Sequence, residues 1–77
     1  MEIKEIKSKI DKIFNKGRLV VIKINGKEHE ITGYSIFGGY IVLYYGEDSL
    51  GTFYIRDIEN IKELVWEVYK NGKQNGE

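Results

Sequence analysis

The stretch Leu19-Val20-Val21-Ile22-Lys23-Ile24-Asn25-Gly26-Lys27-Glu28-His29-Glu30-Ile31 decides the fold. Its first half is rich in β-branched residues, and Val20, Ile22 and Ile24 recur at the two-residue period of a strand with one buried face. Asn25-Gly26 is the pair that a type I′ hairpin turn favours, because both of its central residues must take positive φ. A two-residue turn leaves one register. Ile24 faces Lys27, Lys23 faces Glu28, Ile22 faces His29 and Val20 faces Ile31. Lys23 and Glu28 then share one face, while Val20, Ile22 and Ile31 gather on the other. Charge and apolar pattern agree on the same hairpin.

Upstream, the period changes. Ile3, Ile6, Ile10, Ile13 and Phe14 form one stripe of an amphipathic α-helix, with charged residues between them. Gly17 stands just past the last apolar position, where a left-handed residue ends a helix. Burying the stripe is worth about 10 kcal/mol at most, and docking on the domain's own sheet provides the surface for it.

Downstream, the second strand continues to Phe37 with a bulge or sharp bend at Gly33. Gly38-Gly39 turns the chain into a third strand, Tyr40–Tyr45. That strand is apolar on both faces, so it is central or presents one face to a partner. Gly46 to Gly51 reads as a loop and Thr52–Arg56 as a fourth strand. Ile58, Ile61, Leu64, Val65 and Val68 then keep helical spacing, with Asn60 and Glu63 as a capping pair. The alternative for this last element is a fifth strand, since Val65-Trp66-Glu67-Val68-Tyr69 is rich in strand formers. The expected architecture is α+β: an N-terminal helix, a four-stranded antiparallel meander forming a small barrel or strongly bent sheet, and a C-terminal helix. Residues 1–70 make one domain, and residues 71–77 a disordered polar tail.

Seventy-seven residues suit one domain that hides about 60% of the surface its unfolded chain exposes, so its stability is modest. There is no cysteine, which leaves no disulfide framework and fits a reducing compartment. Met1 to Phe14 alternates isoleucine with charge, unlike a signal peptide, and no stretch is apolar for long enough to span a bilayer. A cytoplasmic location is the expectation. Twelve basic residues balance twelve acidic ones, but residues 1–25 hold seven of the former against three of the latter. A dedicated phosphate binder carries an overall basic excess, so this balance argues against that class.

The stretch from Val20 to Leu64, with its short hairpin around Asn25-Gly26, central strand after Gly39 and terminal amphipathic helix, resembles the small crenarchaeal chromatin proteins. The segments Ile31-Thr32-Gly33, Tyr40-Ile41-Val42-Leu43 and Ile55-Arg56-Asp57-Ile58 look like those of YolD-like and Sm-like barrels. Over half the chain shares this pattern. The resemblance implies an SH3-like small barrel and a nucleic-acid-binding reading.

No chemistry-bearing motif stands out. Glu28-His29-Glu30 cannot converge on one metal ion from a strand, because neighbouring side chains point to opposite faces. His29 is therefore expected at the surface or at a barrel rim. Ser8, Ser35 and Ser49 lack a base partner, and Gly38-Gly39 lacks the spacing and lysine of a phosphate loop. Neither catalytic residues nor a cofactor are expected.

Six tyrosines, three phenylalanines and one tryptophan are more rings than so small a core easily encloses. Tyrosine suits interfaces, where the ring is covered and the hydroxyl stays wet. The expected function is that of a non-catalytic protein-binding adaptor or inhibitor, of the kind mobile elements use against host defences. Its candidate binding residues are Tyr34, Tyr40, Tyr44, Glu47 and Asp48. The alternative is a nucleic-acid-binding small barrel that uses Arg18, Lys23 and Lys27 beside stacked rings. The protein is expected to act as a monomer or homodimer, with another protein as partner and no membrane.

Overall fold

A computed structural model describes residues 2–64 of the chain. Helix α1 spans Ile3–Asn15, followed by strands β1 (Val20–Ile24), β2 (Lys27–Ile31), β3 (Gly33–Phe37), β4 (Tyr40–Tyr45) and β5 (Asp48–Tyr54). A single 3-10 turn, Ile55–Asp57, leads into β6 (Ile58–Glu63). The strands form two antiparallel three-stranded sheets, β2–β1–β6 and β3–β4–β5. The α+β class holds, with six strands among the described residues in place of the single four-stranded meander.

The hairpin has the register its turn dictates. Val20 pairs with Ile31, Ile22 with His29, Lys23 with Glu28 and Ile24 with Lys27. Asn25 (φ 52°) and Gly26 (φ 81°) are both left-handed, as a type I′ turn requires. The long second strand does bend where Gly33 interrupts it. Thr32 is the corner, and the strand leaves the first sheet at Ile31 to enter the second at Gly33. Two bonds pin that corner to the end of β4. The Thr32 N–H donates to the Tyr44 carbonyl (2.8 Å), and the Gly46 N–H donates to Thr32 Oγ1 (2.8 Å).

Two departures from the sequence reading share one cause. The segment 46–51 is mostly strand, with Tyr45 paired to Asp48 and only Gly46-Glu47 between them. Ile58–Glu63 is a strand on the free edge of β1, where a helix was expected. Each strand carries a bulge. Lys23 pairs with Asn60 but Ile24 with Ile58, so Glu59 is the extra residue. The bulge puts Ile58 and Ile61 on the same inward face although three positions separate them, which imitates helical spacing. In β5 the shift falls between Leu43 and Tyr44, leaving Leu50 as the extra residue and masking the two-residue period. Asn60 and Glu63 therefore form no cap. Residues 65–69, read as helix or fifth strand, and the tail 71–77 lie outside the described residues.

The inner faces of both sheets and the helix stripe enclose one core. Ile6, Ile10, Val20, Ile22, Ile31, Ile41 and Leu43 are fully buried in it. Ile13 joins them and Phe14 is half-buried, whereas Ile3 projects into solvent. Gly17 (φ 76°) ends the helix, donating its N–H to the Phe14 carbonyl at 2.8 Å. Glu63, at the end of β6, is tied to the link between α1 and β1 through Arg18 (2.7 Å) and Lys16 (3.1 Å).

Candidate functional site

The register of the second sheet sorts its side chains. In an antiparallel sheet, residues directly opposite one another project to the same side. Ile36, Ile41 and Phe53 form one such row and face the core. The next row, Phe37, Tyr40 and Tyr54, faces outward. The turn at Gly38-Gly39 sets Phe37 opposite Tyr40, and the β4–β5 pairing sets Tyr40 opposite Tyr54.

These three rings stay in water, 56%, 42% and 45% exposed respectively, even though they touch one another. Ring centroids lie 6.1 Å apart for Phe37 and Tyr40 and 5.1 Å apart for Tyr40 and Tyr54. Arg56, in the 3-10 turn, lays its guanidinium over Tyr54 at 4.5 Å from the centroid, a cation–π contact. The Ile55 N–H donates to the Gly39 carbonyl (2.9 Å) and so anchors that turn beside the row.

Open grooves flank the Tyr40–Tyr54 ridge. One, about 490 Å³, is lined by Asn25, Tyr40, Thr52, Phe53, Tyr54 and Asp57. The other, about 410 Å³, is lined by Gly39, Tyr40, Tyr54, Ile55 and Arg56. Farther along the same outer face come Ser35, Val42 and Thr52, then Gly33, Tyr44 and Ser49.

Of the residues singled out from the sequence, Tyr40 is the centre of the row. Tyr44 shares its face, four residues or about 13 Å along β4. Glu47 and Asp48 lie at the turn beyond it, so the acidic pair and the aromatic row occupy opposite ends of the strand. Tyr34 projects to the other side of the sheet. Its ring stacks on Phe14 with centroids 6.5 Å apart, and its hydroxyl donates to Asp11 Oδ1 at 2.8 Å. Burial, the hydrogen bond to Asp11 and the charge of that carboxylate push the Tyr34 hydroxyl up to about 12. It fastens the helix to the sheet.

The basic residues are dispersed. Arg18 is held by Glu63, Lys23 projects from the outer face of the first sheet, and Lys27 is exposed at the start of β2. None of the three lies in the aromatic row. His29 sits at the inner rim against Phe53, with centroids 5.0 Å apart, and burial followed by the nearby Lys27 lowers its pKa.

Phe37, Tyr54 and Arg56, with Asp57 beside them, complete the site; the first three were not singled out from the sequence. Phe37 was within reach, because the Gly38-Gly39 turn already fixes it opposite Tyr40. Tyr54 was not, because the bulge in β5 hid its register. Among the described residues, no group of three or more His, Asp or Glu side chains is placed to hold a metal ion. No helix among them is long and apolar enough to cross a membrane. Compared with protein-family models, curated proteins and solved structures, the chain matches none.

Proposed function

We propose that this chain is a non-catalytic protein-binding module, an adaptor or inhibitor, which meets its partner through the outer face of β3–β4–β5. One observation carries the reading: Phe37, Tyr40 and Tyr54 form a continuous row of exposed rings on three adjacent strands. The core does not need them, since Ile36, Ile41 and Phe53 already fill the inward row. Contiguous exposed apolar surface marks interaction sites, and tyrosine supplies contact area at a small cost in side-chain entropy.

The accompanying fold reading is an SH3-like small barrel. It is supported by the strand orders β2–β1–β6 and β3–β4–β5, the bend at Thr32 and the 3-10 turn before the closing strand.

Single-stranded nucleic acid is the competing occupant, because exposed rings on a sheet also stack bases. Charge favours protein. Asp57 lines one groove, Glu47 and Asp48 lie at the far end of the face, and Arg56 is the cation beside the row. A titration of (dT)12 at two salt concentrations, followed by tyrosine and tryptophan fluorescence, separates the occupants. Affinity no better than about tens of micromolar near physiological salt is expected. Sub-micromolar binding that Tyr40→Ala abolishes would replace the protein reading with the nucleic-acid one.

A further inference from the structure

We infer that the groove between the Tyr40–Tyr54 ridge and Asp57 receives an arginine side chain from an extended, basic segment of the partner protein. This rests on the protein-binding reading and specifies the partner's chemistry.

The groove's lining suits a cation. Tyr40 and Tyr54 provide outward-facing rings, Asn25 and Thr52 provide polar groups, and Asp57 is the one charged residue in the lining among the described residues. Asp57 makes no ion pair among the described residues. Across the ridge the arrangement is different, because there Arg56 already lies on Tyr54. The two grooves are thus related: one shows that the Tyr54 ring takes a guanidinium, and the other sets Tyr40 and Tyr54 beside Asp57 with no cation among its described lining residues.

The wider charge pattern points the same way. Glu59 stands by the Asn25-Gly26 turn, accepting the Gly26 N–H at 3.2 Å, and Glu47 with Asp48 occupies the opposite end of β4. Lys27, which follows the Asn25-Gly26 turn, and His29, whose ring meets Phe53, do not line the groove. A segment laid along β4 from the groove would reach the acidic turn within about four extended residues. Arginine fits better than lysine, because its plane stacks on rings, its fork matches a carboxylate and it gives up water more easily.

The test is selection of random 12-residue peptides, displayed on phage, against the full chain. Tyr40→Ala and Asp57→Asn variants then sort the peptides recovered. Arginine enrichment is expected, with binding lost in Tyr40→Ala and weakened about tenfold in Asp57→Asn or when the peptide arginine is replaced by citrulline. The citrulline exchange leaves the protein untouched, so a folding defect in a variant cannot imitate the result. Peptides that need Tyr40 but carry no arginine bias, or that bind Asp57→Asn as well as the parent, would overturn the inference and leave the protein-binding reading standing. Peptides indifferent to Tyr40, or none recovered at all, would overturn both.

Discussion

On the outer face of β2–β1–β6, Lys23 stands between Glu28 and Asn60, and Val21 between Glu30 and Lys62. On the outer face of β3–β4–β5, Tyr40 stands between Phe37 and Tyr54, and Val42 between Ser35 and Thr52. Both sheets turn equivalent inner faces to one core, so folding places the same demand on each. The outer faces differ all the same. Lys62 reaches Glu28 across β1 (3.0 Å), an ion pair on the same face as buried Val21. The second sheet leaves its rings open. Since the first sheet shows that this architecture is satisfied by charged residues outside, the fold does not require the aromatic row, and the proposed recognition role rests on that difference.

The comparison can be broken most severely from beneath. Ile10 is fully buried where the helix closes the core both sheets share, and Ile10→Asp would place an unpaired charge there. A loss of several kcal/mol is expected, enough to unfold both sheets together in one thermal transition. An unchanged midpoint would mean that the stripe is not core. Next in size is the turn of the first sheet. Gly26 has φ 81°, so Gly26→Val should cost about 1–3 kcal/mol in urea denaturation.

Changes on the outer faces should cost the fold little and separate the two surfaces by function. Tyr40→Ser or Tyr54→Ser should lower stability by about 1 kcal/mol or less while abolishing partner binding. Glu28→Gln with Lys62→Gln removes an exposed ion pair worth about 0–1 kcal/mol and should leave binding intact. Equal binding losses from the two pairs of variants would erase the distinction between the faces.

Two titrations sharpen the picture at its edges. The hydrogen bond from Lys16, with the charges of Lys16 and Arg18, holds the Glu63 carboxyl below its ordinary value. Its contribution is present above the unfolded pKa and is lost as pH falls through the lower folded one, so Glu63→Gln should flatten the acid limb of a stability profile. Tyr34 behaves oppositely, since its folded pKa of about 12 exceeds the unfolded value of 10.0. Its contribution is full below pH 10 and disappears as pH rises toward 12. Tyr34→Phe should lack that alkaline decline in urea midpoints measured across the interval.

The sequence disclosed what local rules govern. The Asn25-Gly26 turn fixed five pairings of the first hairpin, the isoleucine stripe located the helix, and Gly33 marked the bend. It concealed what depends on bulges. With one extra residue at Leu50 and another at Glu59, β5 and β6 lose the period of two by which strands are recognised. The candidate site was half visible for the same reason. Tyr40 lies in a regular strand, whereas Tyr54 reaches it through a bulged pairing, and Arg56 through a 3-10 turn that no periodicity announces.

The pairing of β1 with β6 also sets the order of events during synthesis. β1 is the middle strand of its sheet, yet its second neighbour is the last of the described strands, and Val20 meets Glu63 only after the whole intervening chain has been made. The hairpins β1–β2, β3–β4 and β4–β5 can close from short separations, so the junction of β6 is the slow, non-local step. Until it forms, β1 offers an unpaired edge flanked by Val20, Ile22 and Ile24. A nascent chain that stops before Ile58 therefore presents a ready template for intermolecular strand pairing, and is expected to aggregate instead of accumulating as a smaller folded domain.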